Sequence, residues 1–168
     1  WFLFTVSRGG VFTFSWFPRI LILDGDQIPQ GFFSQVTIED LPLLEQLQCP
    51  TRCSLVQEVN LRQLPKLQVL GPNFLSHCPE MKRWTPEHHH LPMLTTIENS
   101  LLVSSGVVEV ILEGLPNLRE IKCSFLADCH DLVSVQLKNL PSLTSVGERF
   151  CCECPQLRNL VLLGLPKL

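Results

Sequence analysis

The chain is expected to fold as an α/β repeat solenoid. Short parallel β-strands should line its concave side, and short helical or 3₁₀ turns its outer side. Three observations predict this: a Leu-Pro-x-Leu tag that returns at nearly constant intervals, an alternating apolar pair ahead of each tag, and an aromatic residue spaced from a cysteine behind it.

The tag sets the period. It occurs at Leu41-Pro42-Leu43-Leu44, Leu64-Pro65-Lys66-Leu67, Leu91-Pro92-Met93-Leu94, Leu115-Pro116-Asn117-Leu118, Leu140-Pro141-Ser142-Leu143 and Leu165-Pro166-Lys167-Leu168, in steps of 23, 27, 24, 25 and 25 residues. A variant, Phe17-Pro18-Arg19-Ile20, lies 24 residues before the first. One unit cannot bury its own leucines. Stacked units bury them in a continuous core.

The strand comes before the tag. Val36 and Ile38, Val59 and Leu61, Val110 and Leu112, Val135 and Leu137, and Leu160 and Leu162 alternate with other residues, and Phe12 and Phe14 share the frame. Period-two alternation marks a strand with one buried face. The tag proline ends it, because proline cannot donate to a ladder.

The outer segment comes after the tag. An apolar residue returns at Leu70, Ile97, Ile121 and Val146. Then Phe74 pairs with Cys78, Phe125 with Cys129 and Phe150 with Cys154, while Leu101 and Ser105 hold those places in the third unit. A spacing of four puts both side chains on one face of a helical turn, so a short helix or 3₁₀ turn is expected there. Met81, Leu132 and Leu157 lead back to the next strand.

Two stretches break the frame. The unit after Leu41 is short, and its outer turn is Cys49-Pro50-Thr51-Arg52-Cys53. The unit spanning 64–90 is long, with Pro86 and His88 where strand apolar residues belong, so a broken or bulged strand is expected. Residues 1–10 remain unassigned and 11–168 form the repeat domain. A start at Trp1 and a stop in mid-unit at Leu168 suggest a piece of a longer array.

With these residues in place, the frame Leu-x-x-Val-x-Leu-x-x-Leu-Pro-x-Leu-x-x-Val-Gly-x-x-Phe-x-x-x-Cys, cleanest over Val135 to Cys154, resembles the BspA-like (Treponema-type) leucine-rich repeats. Gly71 and Gly147 match that family's Ile-Gly step. The family's Phe-x-x-Cys is one residue shorter than the spacing here. The resemblance implies a leucine-rich repeat fold, a protein or surface glycoconjugate as partner, and a place on the cell surface or outside the cell.

Composition and charge narrow the function classes. Apolar residues make up 45% and charged residues 17%, against roughly 25% charged in average domains. The net charge is −3 with lysine and arginine scattered, so no basic stripe points to nucleic acid. The aromatic stretch from Trp1 to Ile20 is interrupted by Ser7-Arg8-Gly9-Gly10 and is no membrane span. No Gly-x-Ser-x-Gly, phosphate-binding or dinucleotide-binding signature occurs. An enzyme is therefore not expected, and neither is a cofactor. Cys151 or Cys152 could act as nucleophiles only with a positioned base, and nothing in the sequence brings His130 to them.

The cysteines recur at repeat positions, which favours buried free thiols packed as small apolar residues. Disulfides are left open at Cys49/Cys53 and Cys151/Cys152. Glu87-His88-His89-His90 contains good zinc ligands, but consecutive histidines point to different sides, so an exposed polar loop and no metal site are expected.

The concave row between the buried strand positions is the expected partner surface: Thr37, Asn60, Ile111, Gln136 and Val161. Gln35, Glu58, Glu109, Ser134 and Asn159 flank it. A protein-binding scaffold is the leading expectation. The rivals are a substrate-recruiting arm of a larger enzyme and a spacer with no specific ligand.

Overall fold

A computed structural model describes residues 4–6, 11–15, 22–23, 33–48 and 54–168. It is a parallel β-solenoid. The strands are β1 (Phe4–Val6), β2 (Val11–Ser15), β3 (Ile22–Leu23), β4 (Gln35–Glu39), β5 (Gln46–Leu47), β6 (Glu58–Arg62), β7 (Val69–Leu70), β8 (Arg83–Trp84), β9 (Thr96–Ile97), β10 (Glu109–Glu113), β11 (Glu120–Ile121), β12 (Ser134–Lys138), β13 (Ser145–Val146) and β14 (Asn159–Leu163). β1 lies in the segment that the repeat frame left unassigned, and it pairs antiparallel with β2. The variant tag at 17–20 and the outer turn at 49–53 lie outside the described residues.

Strands occupy two faces, not one. The five-residue strands, with the three-residue β1 and the two-residue β8, build the first face in two blocks, β1-β2-β4-β6 and β8-β10-β12-β14. The other two-residue strands build a second, uninterrupted face in the order β3-β5-β7-β9-β11-β13. The repeat register is strict: Val110 lies beside Val135 and Val135 beside Leu160. Ile97 likewise lies between Leu70 and Ile121. Phe12, Phe14, Val36, Ile38, Leu61, Val110, Leu112, Val135 and Leu137 point into the core, as the alternation predicts.

Each Leu-Pro-x-Leu tag is a turn closed by its own leucines. The N–H of Leu44 donates to the Leu41 carbonyl at 3.2 Å, and the same bond joins Leu67 to Leu64, Leu94 to Leu91, Leu118 to Leu115 and Leu143 to Leu140. Proline at the second position of such a turn has its φ fixed in advance. Both leucines of each of these tags are buried. A second corner has the same bond, from Met81 to Cys78, Leu132 to Cys129 and Leu157 to Cys154.

The expected outer helix is not there. Among the described residues the only helical element is a 3₁₀ turn at His88–His90. The segment behind each tag instead alternates into the left-handed region. Asn73, Leu75 and His77 do so in one coil, then Ser100, Leu102 and Ser104, then Ser124, Leu126 and Asp128, then Arg149, Cys151 and Glu153. A helix needs negative φ at every residue, so this alternation excludes one. The hydrogen bonds run between coils. Asn73 N–H donates to Asn99 at 2.9 Å, Leu102 back to Phe74 at 3.0 Å and Ser104 on to Ala127 at 3.0 Å. The four-residue spacing misled because Phe125 and Cys129 both reach the core without a helix, with the left-handed Leu126 and Asp128 between them. Phe74 and Cys78 are both buried, as are Phe125 and Cys129. Non-glycine residues in this region cost roughly 1–2 kcal/mol each. Inter-coil bonds and the burial of Phe74, Leu102, Phe125 and Leu126 offset that cost.

Close approach of neighbouring coils explains Gly147. Its N–H donates to Ile121 at 2.7 Å, and a β-carbon there would sit 2.6 Å from the backbone nitrogen of Cys123. Gly106 is tighter still, since a β-carbon would collide with the Pro79 carbonyl.

Candidate functional site at the interrupted strand face

The first face is where sequence reasoning placed the partner surface, and register brings that row together. Thr37 lies beside Asn60 in one block, and Ile111, Gln136 and Val161 lie side by side in the other. Asn60, Ile111, Gln136 and Val161 are half-buried. Thr37 is only 7% exposed, so it does not offer the open surface expected of it. Of the flanking row, Asn159 donates to the Ser134 hydroxyl at 3.0 Å, and Glu109 pairs with Arg83 at 3.1 Å. Leu160 and Leu162, expected in the core, are about half exposed in β14, which pairs only with β12.

The ladder breaks between β6 and β8, as the irregular unit predicts. Register puts Trp84 beside Val110, so tryptophan fills the apolar strand position. Pairing stops there. Pro86, two residues on, has no N–H to donate. His88, at the other strand position of the frame, lies in the 3₁₀ segment, so the strand is broken there as expected.

The break leaves one backbone donor without its usual acceptor. At the ends of β4, β10 and β12 a left-handed residue donates to the next coil: Asp40 to the Arg62 carbonyl, Gly114 to Lys138 and Asn139 to Leu163. Gln63 has the same left-handed conformation, but no fifth strand residue faces it. Its N–H donates instead to Nδ1 of His90, at 3.3 Å. The imidazole replaces a missing carbonyl. The Leu64 N–H donates to the His90 carbonyl at 3.1 Å, which ties the turn to the preceding coil.

A side-chain cluster surrounds that imidazole. Oε2 of Glu87 lies 3.3 Å from Nε2 of His89 and 3.5 Å from Nε2 of His90. The two rings are 4.0 Å apart. Desolvation holds His90 below its ordinary pKa, helped by His89 and Arg62 and opposed by Glu87. Two grooves flank the cluster. One, of about 580 Å³, is lined by Asp40, Pro42, Leu64, Pro65, His89 and His90. The other, of about 560 Å³, includes Thr85, Pro86, Glu87, His89 and Ile111. The prediction that the histidines diverge is not met for His89 and His90. The signal was present in the three-residue step from Glu87 to His90, because such pairs eclipse on a 3₁₀ turn.

The cysteines form a ladder with more than a packing role. Cys78 and Cys129 are buried and Cys154 is half-buried, and no disulfide joins the six described cysteines. Sγ of Cys129 donates to the Leu102 carbonyl at 3.0 Å, and Sγ of Cys154 to Leu126 at 3.0 Å. Each thiol thus satisfies a left-handed leucine of the preceding coil. Ser105, at the same repeat position, donates to Leu102 at 2.7 Å. Cys129 and Cys154 titrate together. Proximity of the Cys154 thiol, with the hydrogen bond to Ser105, holds Cys129 below its ordinary value, and the Cys129 thiol together with burial holds Cys154 above it. Burial pushes Cys151 up to about 12, which removes the thiolate a nucleophile needs. Cys49 and Cys53 lie outside the described residues.

No helix among the described residues is long and apolar enough to cross a membrane. Comparison with protein-family models, curated proteins and solved structures gives no match.

Proposed function

We propose that this chain is a protein-binding repeat scaffold of the BspA-like leucine-rich class, acting at the cell surface. Its partner, a protein or a surface glycoconjugate, would lie across the first strand face. The observation that carries this reading is the register-aligned row Ile111, Gln136 and Val161, which is half-exposed and runs into the groove that Ile111 lines. Apolar side chains standing on an otherwise polar strip suit partner binding, because a few such anchors carry most interface energy. Asn60 belongs to the same row in the other block, beside the buried Thr37.

The test is a crosslinking pull-down from source-cell extract and surface fractions. The bait is the parent chain beside a variant carrying Ile111→Glu, Gln136→Ala and Val161→Glu. Capture by the parent and loss from an equally folded variant supports the strand-face reading. Equal capture by both, or capture by neither, removes it and favours a spacer or a remote recruiting domain.

A further inference from the structure

We propose that Glu87, His89 and His90 form a binding site for a divalent first-row transition metal, Zn²⁺ being the reference ion, at the interruption of the strand face. Their donor atoms all lie within 4.8 Å of one another. The glutamate oxygen is 3.3 and 3.5 Å from the two imidazole nitrogens. A tetrahedral ion with bonds of about 2.0–2.1 Å to nitrogen and about 2.0–2.2 Å to carboxylate oxygen has nitrogen-to-oxygen edges of about 3.3–3.5 Å. Two of the three edges therefore already have the required length. Two imidazoles and one carboxylate are a borderline nitrogen–oxygen donor set, which suits zinc and its neighbours better than calcium or magnesium.

The backbone holds this geometry. His90 N–H closes the turn onto the Glu87 carbonyl at 3.0 Å, and the Leu64 N–H grips the His90 carbonyl from the preceding coil. Three protein ligands leave one position open for water or for a donor atom of a bound molecule. His89 stands in the wall of both grooves, so a ligand lying in either one would pass beside the ion. The site does not depend on the partner surface proposed above.

Ligation has a specific structural signature. While Nδ1 of His90 accepts from Gln63, the neutral ring carries its proton on Nε2. A metal on Nε2 needs that proton gone and one on Nδ1 instead, with no net proton released. The Gln63 N–H then faces a donor and loses its acceptor. Metal binding is thus tied to loosening of the Gln63 turn.

The test titrates the full 168-residue chain with Zn²⁺ by calorimetry, under a reductant that does not bind metal. Co²⁺ serves as the visible-absorption probe, and amide exchange is followed at Gln63. One equivalent of Zn²⁺ is expected to bind, weakened more than about tenfold by His89→Ala and separately by Glu87→Gln. The Co²⁺ spectrum should lack thiolate charge-transfer bands, and Gln63 exchange should accelerate on saturation. Three results would overturn the proposal: no stoichiometric binding, binding unchanged in both variants, or a thiolate-type Co²⁺ spectrum that places the ion on the cysteines. Unchanged Gln63 exchange at saturation would remove His90 as a ligand and with it the three-residue site.

Discussion

The coil between β10 and β12 and the coil between β6 and β8 carry the same tag, yet differ in what satisfies the backbone. In the first, all five strand residues pair and Gly114 donates to the Lys138 carbonyl. In the second, the ladder is missing and Gln63 donates to an imidazole. Regular repetition supplies each coil with partners from its neighbour. Where repetition fails, a side chain takes over, and the strand face opens into the two grooves beside His89 and His90.

The largest expected effect lies in the regular half. Phe125 is fully buried and stacks on Phe150 at 5.6 Å. Phe125→Ala should destabilise the chain by about 3–5 kcal/mol in urea unfolding. Trp84→Ala should cost a similar amount despite sitting in the irregular coil, because Trp84 is 2% exposed and packs against Phe74. A much smaller cost at Trp84 would show that the irregular coil is loosely held.

Gly147→Ala tests inter-coil approach. The new methyl group would press on the Cys123 backbone, costing about 1–3 kcal/mol by the same measurement. His90→Ala tests the substitute acceptor. Loss of its bond to the Gln63 N–H should cost about 0.5–1.5 kcal/mol and raise amide exchange at Gln63 while leaving Gly114 unchanged. Equal exchange at both positions in the variant would break the comparison.

The smallest effect is expected at Lys122, which bridges to Glu98 in the preceding coil at 2.7 Å. Its hydrogen bond and the charge of Glu98 raise the lysine above its ordinary value. A raised base contributes fully below its unfolded pKa, about 10.4, and loses that contribution as pH rises through the folded value. Lys122→Ala should therefore narrow any stability difference from the parent only at strongly alkaline pH. A difference that peaks there would refute the assignment.

Much of this fold is readable from residue order. The alternating pairs at 36/38, 110/112 and 135/137 are buried as expected, and the tags fall at turns. The second strand face was not readable, because two-residue strands such as Val69–Leu70 are too short to show alternation. The outer segment was misread because the offset between Phe125 and Cys129 fits a helical turn, and nothing in residue order marks Leu126 and Asp128 as left-handed. Thr37 was placed outward by alternation alone, which carries no information about what covers a strand from outside. Convergence at Glu87, His89 and His90 depends on a turn created by failed strand pairing, and a repeat frame describes only successful pairing.

The regular register also governs how such a chain reaches its structure. Nearly every backbone partner lies one repeat away, from Glu109 beside Ser134 to Ile97 beside Ile121. No distant segment has to be found before a coil can close, so loop-closure entropy stays nearly constant at every step. Folding can spread as a front, each finished coil serving as the template for the next. A front moving through this chain should pause where β6 fails to pair with β8, because there the template offers an imidazole in place of a strand.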